Sequence, residues 1–409
     1  MNLLFVHQNC PGQFRHLVRD LLDQGGHRVV FIGQPNTARL PGLERLDYRP
    51  APGPGDGLHP WLRDTDAAVR NGQAVARLAL DLKRRGFVPD VMVGHNGWGE
   101  TLYLKDVWPD RPLLSYFEFF YSATGSDLDF DPEFPPSLDD QCRARTRNAV
   151  NLLGLAAADR GLSPTEWQRR QYPAPFRDRI KVVHEGVDTR TVAPDPAAAL
   201  TFGRDGLTLT RADEVITFSV RNLEPYRGFH VFMRALPDIL RRRPRAHVIF
   251  VGGDDVSYGR RPPGGRTWRQ VMLAELAGRL DMTRLHFLGR IPYASYLRVL
   301  QVSQAHVYLT YPFVLSWSML EAMSAGCAVI GSRTAPVEEV LEDGRNGLLV
   351  DFHDTAAIAD RIDAILDHSD RMAELRRAAR ATIVSRYDLE TVTLPAQRRL
   401  LARLAAGEE

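Results

Sequence analysis

The sequence predicts an α/β protein of two Rossmann-like, doubly wound parallel-sheet domains facing a central cleft. Three observations carry this. At 409 residues the chain is too long for one hydrophobic core. It opens with a β-α-β unit: a buried strand at 3–6, an amphipathic helix at 14–22 closed by Gly25-Gly26, and a strand at 29–32. A second α/β series begins at 215–220, after a Pro-, Ala- and Gly-rich connection near 193–213.

Composition bounds the function. The chain is 44% apolar and 25% charged, as soluble globular proteins are. A formal net charge of +2 gives no reason to expect a nucleic-acid partner. Lys83-Arg84-Arg85 and Arg241-Arg242-Arg243 read as solvated helix ends; weak association with a membrane surface is the minority reading. Cys10, Cys142 and Cys327 are widely spaced, with neither a disulfide framework nor metal-ligand spacing, which suits a reducing cytoplasm. The opening MNLLFVHQNC has the short apolar run of a strand, not of a signal peptide, and no run is long enough to span a bilayer.

In the first half, the loop after the first strand carries one glycine, Gly12. A dinucleotide fingerprint needs three, so a dehydrogenase is disfavoured. Gly12 either lets a ligand approach the backbone or simply makes a turn. Residues 35–60 read as a loop with short extended pieces. A helix at 66–85 is expected to turn Val69, Ala76, Leu80 and Leu82 inward. After the strand at 90–93 comes His95-Asn96-Gly97-Trp98-Gly99, on the ligand side of a parallel sheet. The strand at 113–116 leads into Phe117-Glu118-Phe119-Phe120-Tyr121. Glu118 among aromatics is either a general base or acceptor-hydroxyl ligand, or the partner of an arginine. Glu118 and Tyr121 are the acceptor-side candidates. Residues 127–136 form an acidic, proline-rich rim loop, and Ser163-Pro164-Thr165-Glu166-Trp167 starts a helix with Ser163 as its cap.

In the second half, Arg221 and Arg227 share one strand-to-helix loop and flank Pro225. Two guanidinium groups so placed can clamp a diphosphate. Further on, Leu315, Met319, Leu320 and Met323 recur at helical spacing, and Ser316 and Ser318 stand where that helix begins. Free N–H groups at such an end attract anions. Glu321, about one turn inside, can accept hydrogen bonds from two neighbouring sugar hydroxyls. Phosphate and diol together describe a nucleotide-like ligand.

These residues resemble the retaining, nucleotide-sugar-dependent glycosyltransferases of family 4 (glycosyl transferases group 1), which have the two-domain GT-B fold. The family's Arg…Lys-Gly loop looks like Arg221-Asn222-Leu223-Glu224-Pro225-Tyr226-Arg227-Gly228, with arginine in the lysine position. Its Leu-Glu-Ala-Met-Ala-x-Gly helix matches Leu320-Glu321-Ala322-Met323-Ser324-Ala325-Gly326. The resemblance implies that Glu321 holds the ribose hydroxyls, that the backbone at Leu315-Ser316-Trp317 faces donor sugar and phosphate, and that Gly289-Arg290-Ile291-Pro292 receives the base. Gly12 resembles the loop glycine after the first strand. His95 resembles the histidine beside the reacting sugar carbon, and Gly186-Val187-Asp188 the interdomain turn. The implied catalytic set is His95, Arg221 and Arg227. The implied donor set is Gly12, Arg221, Arg227, Gly289, Ile291, Leu315, Ser316, Trp317 and Glu321.

By the same resemblance, residues 1–195 form the acceptor domain, 196–388 the donor domain, and 389–409 a C-terminal helix crossing back to the first. The implied reaction moves a sugar, with retention, from a nucleoside-diphosphate sugar to an acceptor hydroxyl. The donor is a co-substrate; no cofactor and no metal ligand are assigned, because guanidinium groups and the helix end would stabilise the leaving phosphate. The acceptor is open among glycan, lipid-linked sugar, protein and metabolite. A nucleotide-sugar epimerase and a non-catalytic nucleotide-sugar-binding protein are the alternatives. One departure matters: eight positions before Glu321, where the family usually has a glutamate touching donor hydroxyls, this chain has Phe313. The donor sugar is then less hydroxylated, or another residue makes that contact.

Overall fold

The computed structural model describes residues 1–203 and 206–408. The chain divides into two compact units, Met1–Gly186 together with the segment from Leu389 onward, and Val187–Asp388. Each is an α/β layer structure, as alternating apolar runs and amphipathic helices require.

The first unit is a seven-stranded parallel sheet of β1 (Asn2–Asn9), β2 (Arg28–Gln34), β3 (Glu44–Asp47), β4 (Val91–His95), β5 (Leu113–Tyr116), β6 (Arg160–Ser163) and β7 (Ile180–Val182). Their order is β3-β2-β1-β4-β5-β6-β7, and Leu3 pairs with both Val29 and Val91. Both faces are covered, so β1 reads as an unbroken apolar run. The helix Arg15–Gln24 and the C-terminal helix Leu394–Ala405 pack on one face through Leu17, Leu21, Leu401 and Leu404. The helix Arg63–Arg84 covers the other through Val75, Ala79 and Leu82.

That helix corrects its expected inner face. Its buried residues are Ala68, Asn71, Gly72, Val75, Ala79 and Leu82, while Val69 and Leu80 are exposed. The reason is close packing: a Cβ on Gly72 would lie 2.6 Å from the Gly99 carbonyl oxygen. Near Gly99 small residues, Ala68 and Gly72, mark the inward face, while Val75 and Leu82 mark it further along. The helix after β6 spans Glu166–Gln171, and its cap is Thr165, whose Oγ1 accepts from Gln168 N; Ser163 ends β6 instead.

The second unit holds a six-stranded parallel sheet and a hairpin. The hairpin, β8 (Ala199–Phe202) with β9 (Leu207–Thr210), fills part of the stretch expected to be a connection. Positions 204 and 205 of that stretch lie outside the described residues, as does 409. The sheet comprises β10 (Val215–Asn222), β11 (His247–Gly253), β12 (Leu285–Phe287), β13 (Ala305–Tyr308), β14 (Ala328–Ser332) and β15 (Leu348–Val350), ordered β12-β11-β10-β13-β14-β15. Residues 187–195, assigned from sequence to the first domain, belong with the second: Val187 and Val192 are buried in one cluster with Met319, Met323 and Ile383.

Most side chains of the basic clusters pair with carboxylates or carbonyls. Arg242 and Arg243 bridge Asp363, with Asp360 and Asp367 beside it. Lys83 donates to the Val107 carbonyl and Arg84 pairs with Asp81. Among the described residues, no helix is long and apolar enough to cross a membrane.

Candidate active site

In the second unit, β10 runs into the loop carrying the two arginines, and the structure treats them differently. Arg227 is 5% exposed. Its Nη1 donates to Thr310 Oγ1 (2.8 Å), to the Val314 carbonyl (2.9 Å) and to Tyr308 Oη (3.3 Å). The Tyr258 and Phe313 rings lie 5.2 and 6.0 Å from its guanidinium. Burial works against its charge, but Tyr308, Tyr258 and Glu224 outweigh that and hold it fully protonated. Arg221, near the end of β10, is exposed, and its side chain has no bonded partner among the described residues. Gly228, which follows Arg227, has φ +69°, and a Cβ there would sit 2.3 Å from Leu309 Cβ; only glycine lets the chain turn into the next helix.

Tyr308 ties this loop to the helix Trp317–Ser324. Its hydroxyl oxygen accepts from both Arg227 and Ser316 N (2.8 Å). Ser316 is the N-cap, and its Oγ accepts from Ser318 N. One of the N–H groups expected to be free is therefore already capped. Leu315 is buried in the core of this unit, Trp317 is half-buried, and Phe313 packs against Tyr226 and Tyr258.

Glu321 is braced rather than bare. Tyr293 and Tyr296 donate their phenol protons to its two carboxylate oxygens, at 2.7 and 2.9 Å. Each oxygen keeps acceptor capacity for a further hydroxyl. Tyr293 opens the helix just after Gly289-Arg290-Ile291-Pro292, so this contact joins the expected base and ribose segments. Gly289 has φ +67° with open space where a Cβ would be; Ile291 is half-buried. Arg290 donates to Asn222 Oδ1 (3.0 Å), back in the arginine loop.

Sequence reasoning gave no role to Glu224. It is fully buried and accepts from the backbone N–H groups of Ser257, Tyr258 and Gly259 at 2.9–3.2 Å. It thereby holds in place the loop carrying Tyr258. Tyr258, Tyr293 and Tyr296 were missed as well, since no local pattern marks a residue whose partner is distant in sequence.

The first unit has a site of its own. His95 and Glu118, from the ends of β4 and β5, meet with Nε2 and Oε2 3.5 Å apart. His95 Nδ1 accepts from Gly97 N, so its proton sits on Nε2, which makes no closer bond among the described residues. Glu118 Oε1 accepts from Gln13 Nε2 (3.1 Å), and Gln13 Oε1 lies 2.5 Å from His7 Nε2. His7 Nδ1 accepts from Asn9 N (2.8 Å), so His7 is the donor to Gln13. Burial, with His95 next to it, holds His7 down to about 3, hence neutral. Burial alone would raise Glu118; His95, Gln13 and His7 outweigh it and hold the carboxyl below its ordinary value. Gly12 serves this relay: it has φ +54°, and a Cβ would lie 2.5 Å from the His7 ring. That turn against His7 requires a glycine.

His95 and Glu118 face a cavity of about 200 Å³ shared with Asp64, Trp98, Tyr121 and Arg147. Arg147 donates to the Tyr121 hydroxyl (2.7 Å), lies 3.9 Å from that ring's centre and is 3.5 Å from Asp64. Burial pushes the Tyr121 phenol up to about 12 against the pull of Arg147. Among the described residues no arginine pairs with Glu118; its neighbours are His95 and Gln13.

Three Asp-x-Asp spacings occur, 64/66, 127/129 and 129/131, and their carboxylates have local partners; Asp127 accepts from Ser126 Oγ. Asp64 pairs with Arg143 and Arg147, and Asp66 with Arg70. Asp129 accepts from Gly125 N and Ser126 N, and Asp131 accepts from Glu133 N.

Comparison with known proteins matches both halves. The family described as Glycosyl transferase family 4 group matches residues 25–192, and Glycosyl transferases group 1 matches residues 208–382. A D-inositol 3-phosphate glycosyltransferase of Nocardia farcinica is 32% identical over 227 residues, 54% of this chain and 48% of that protein. The chain spans about half the length of that relative. Sucrose-phosphate synthase from Thermosynechococcus elongatus shares the fold at a TM-score of 0.74 and 16% identity, covering 100% of both chains. Anabaena Alr3699/HepE in complex with UDP-glucose does so at 0.68 and 16%, covering 98% of this chain and 100% of that one.

Proposed function

Because the chain belongs to the family 4, group 1 glycosyltransferases, with the GT-B fold, we propose that it moves a sugar from a nucleoside-diphosphate sugar to an acceptor hydroxyl. The observation that carries this reading is a division of labour. One unit offers an ionised carboxylate, Glu118, at a cavity; the other offers guanidinium groups and a phenol-braced carboxylate suited to a nucleotide. An epimerase acting on the donor alone needs no such acceptor cavity.

In this reading Arg221 and the start of the helix Trp317–Ser324 take the diphosphate, with Arg227 keeping that region positive from beneath. Glu321 takes the ribose hydroxyls on its remaining lone pairs. His95 Nε2–H supports the sugar ring, and Glu118 accepts the proton leaving the acceptor hydroxyl. Retention follows from front-face substitution, since no nucleophile is assigned beneath the sugar. Metal independence rests on guanidinium stabilisation of the departing phosphate. The UDP-glucose seen in Anabaena HepE supports a uridine donor. A cytoplasmic setting is supported by three free cysteines, two of them buried.

Phe313, packed over Arg227, favours a donor with fewer hydroxyls at the position the family's glutamate would touch. It also lends weight to a second reading, a binding protein without turnover. A product assay with UDP-hexose and deoxy-hexose donors, with and without EDTA, tests all of these. Transfer that survives EDTA and prefers the deoxy donor is expected. Epimerised donor without acceptor, or UDP binding with no product at all, overturns the proposal.

A further inference from the structure

We propose that the cavity of the first unit takes an uncharged, polyhydroxylated ring and excludes a phosphorylated one. The claim rests on the transfer reading only in calling the occupant an acceptor; the chemistry belongs to the cavity itself. Its lining carries two carboxylates, Asp64 and Glu118, and one guanidinium, Arg147. That guanidinium is already committed: it faces the Tyr121 ring, donates to the Tyr121 hydroxyl and lies beside Asp64. A second arginine within reach, Arg143, is held by both oxygens of Asp64, at 3.0 and 3.3 Å. Among the described residues no lining cation is left for a phosphate, and Glu118, held ionised by His95 and the bond from Gln13, would repel one.

What remains suits a sugar or cyclitol. Carboxylate oxygens accept from hydroxyls, and Trp98, stacked on His95 at 4.1 Å, offers an aromatic wall for ring C–H groups. The Tyr121 hydroxyl accepts from Arg147, and its own proton has no acceptor among the described residues, so it can donate inward.

Titration calorimetry on the full chain tests this with matched probes: myo-inositol against D-myo-inositol 3-phosphate, and methyl α-D-glucopyranoside against glucose 6-phosphate. Each neutral probe should bind at least about tenfold more tightly than its phosphate. In Asp64→Asn, which releases Arg143 and Arg147, phosphate affinity should rise by about tenfold. Equal or tighter binding of the phosphates by the natural chain, no binding of either class, or no gain in Asp64→Asn overturns the proposal. UDP titration in the same samples reports on the nucleotide site, so failure of the transfer reading shows separately as lost UDP binding.

Discussion

Replacing Arg221 by alanine separates donor binding from folding. Arg221 is exposed and its side chain has no bonded partner among the described residues, so its removal opens no cavity and orphans no buried group. Surface changes of this kind shift stability by less than about 0.5 kcal/mol, and the melting temperature should stay within about 2 °C. A charged hydrogen bond to phosphate is worth about 1.5–3 kcal/mol. Loss of one such bond therefore weakens UDP binding by roughly 10- to 150-fold. Calorimetry with UDP, beside a thermal melt, measures both numbers. Arg227 could not serve, because three acceptors depend on its Nη1 and Arg227→Ala would confound folding with binding. An unchanged UDP affinity in Arg221→Ala, with the fold intact, would refute the assignment of this arginine to the diphosphate.

Three further outcomes follow from the same geometry. Gln13→Leu removes a bond that holds Glu118 low, so the acidic limb of the kcat/KM profile should move to higher pH; an unmoved limb rejects Glu118 as base. Glu100 is fully buried, accepts from Tyr48 at 2.7 Å and is raised above its ordinary value by burial. A carboxyl raised on folding loses stability as pH rises from its unfolded value through its folded one, so Glu100→Gln should gain on the order of 1 kcal/mol at pH 7, visible in urea unfolding, and gain nothing near pH 4. Glu224→Ala leaves three part-buried backbone N–H groups without their acceptor and should cost about 1–3 kcal/mol by denaturant unfolding; a loss under about 0.5 kcal/mol would show that this loop holds itself.

The sequence alone settled what is local. Alternating apolar runs and amphipathic helices gave parallel sheets, because each strand and helix writes its own period into the chain. The segment 320–326, the arginine loop and the glycine at 228 are short, continuous and legible for the same reason. Tertiary structure decided what depends on partners far along the chain. The His7–Gln13–Glu118 relay joins residues 105 positions apart, brought together only because β1, β4 and β5 lie side by side. Two arginines six positions apart look equivalent in sequence, yet Tyr308, Thr310 and Val314 bury one and leave the other in water. Packing likewise placed Ala68 and Gly72, not Val69 and Leu80, inward against the turn after β4, since the contact at Gly99 selects for small size rather than hydrophobicity. Periodicity reports which residues avoid water; which groups then meet in the dry interior is set by strand order, and no single stretch of chain encodes that.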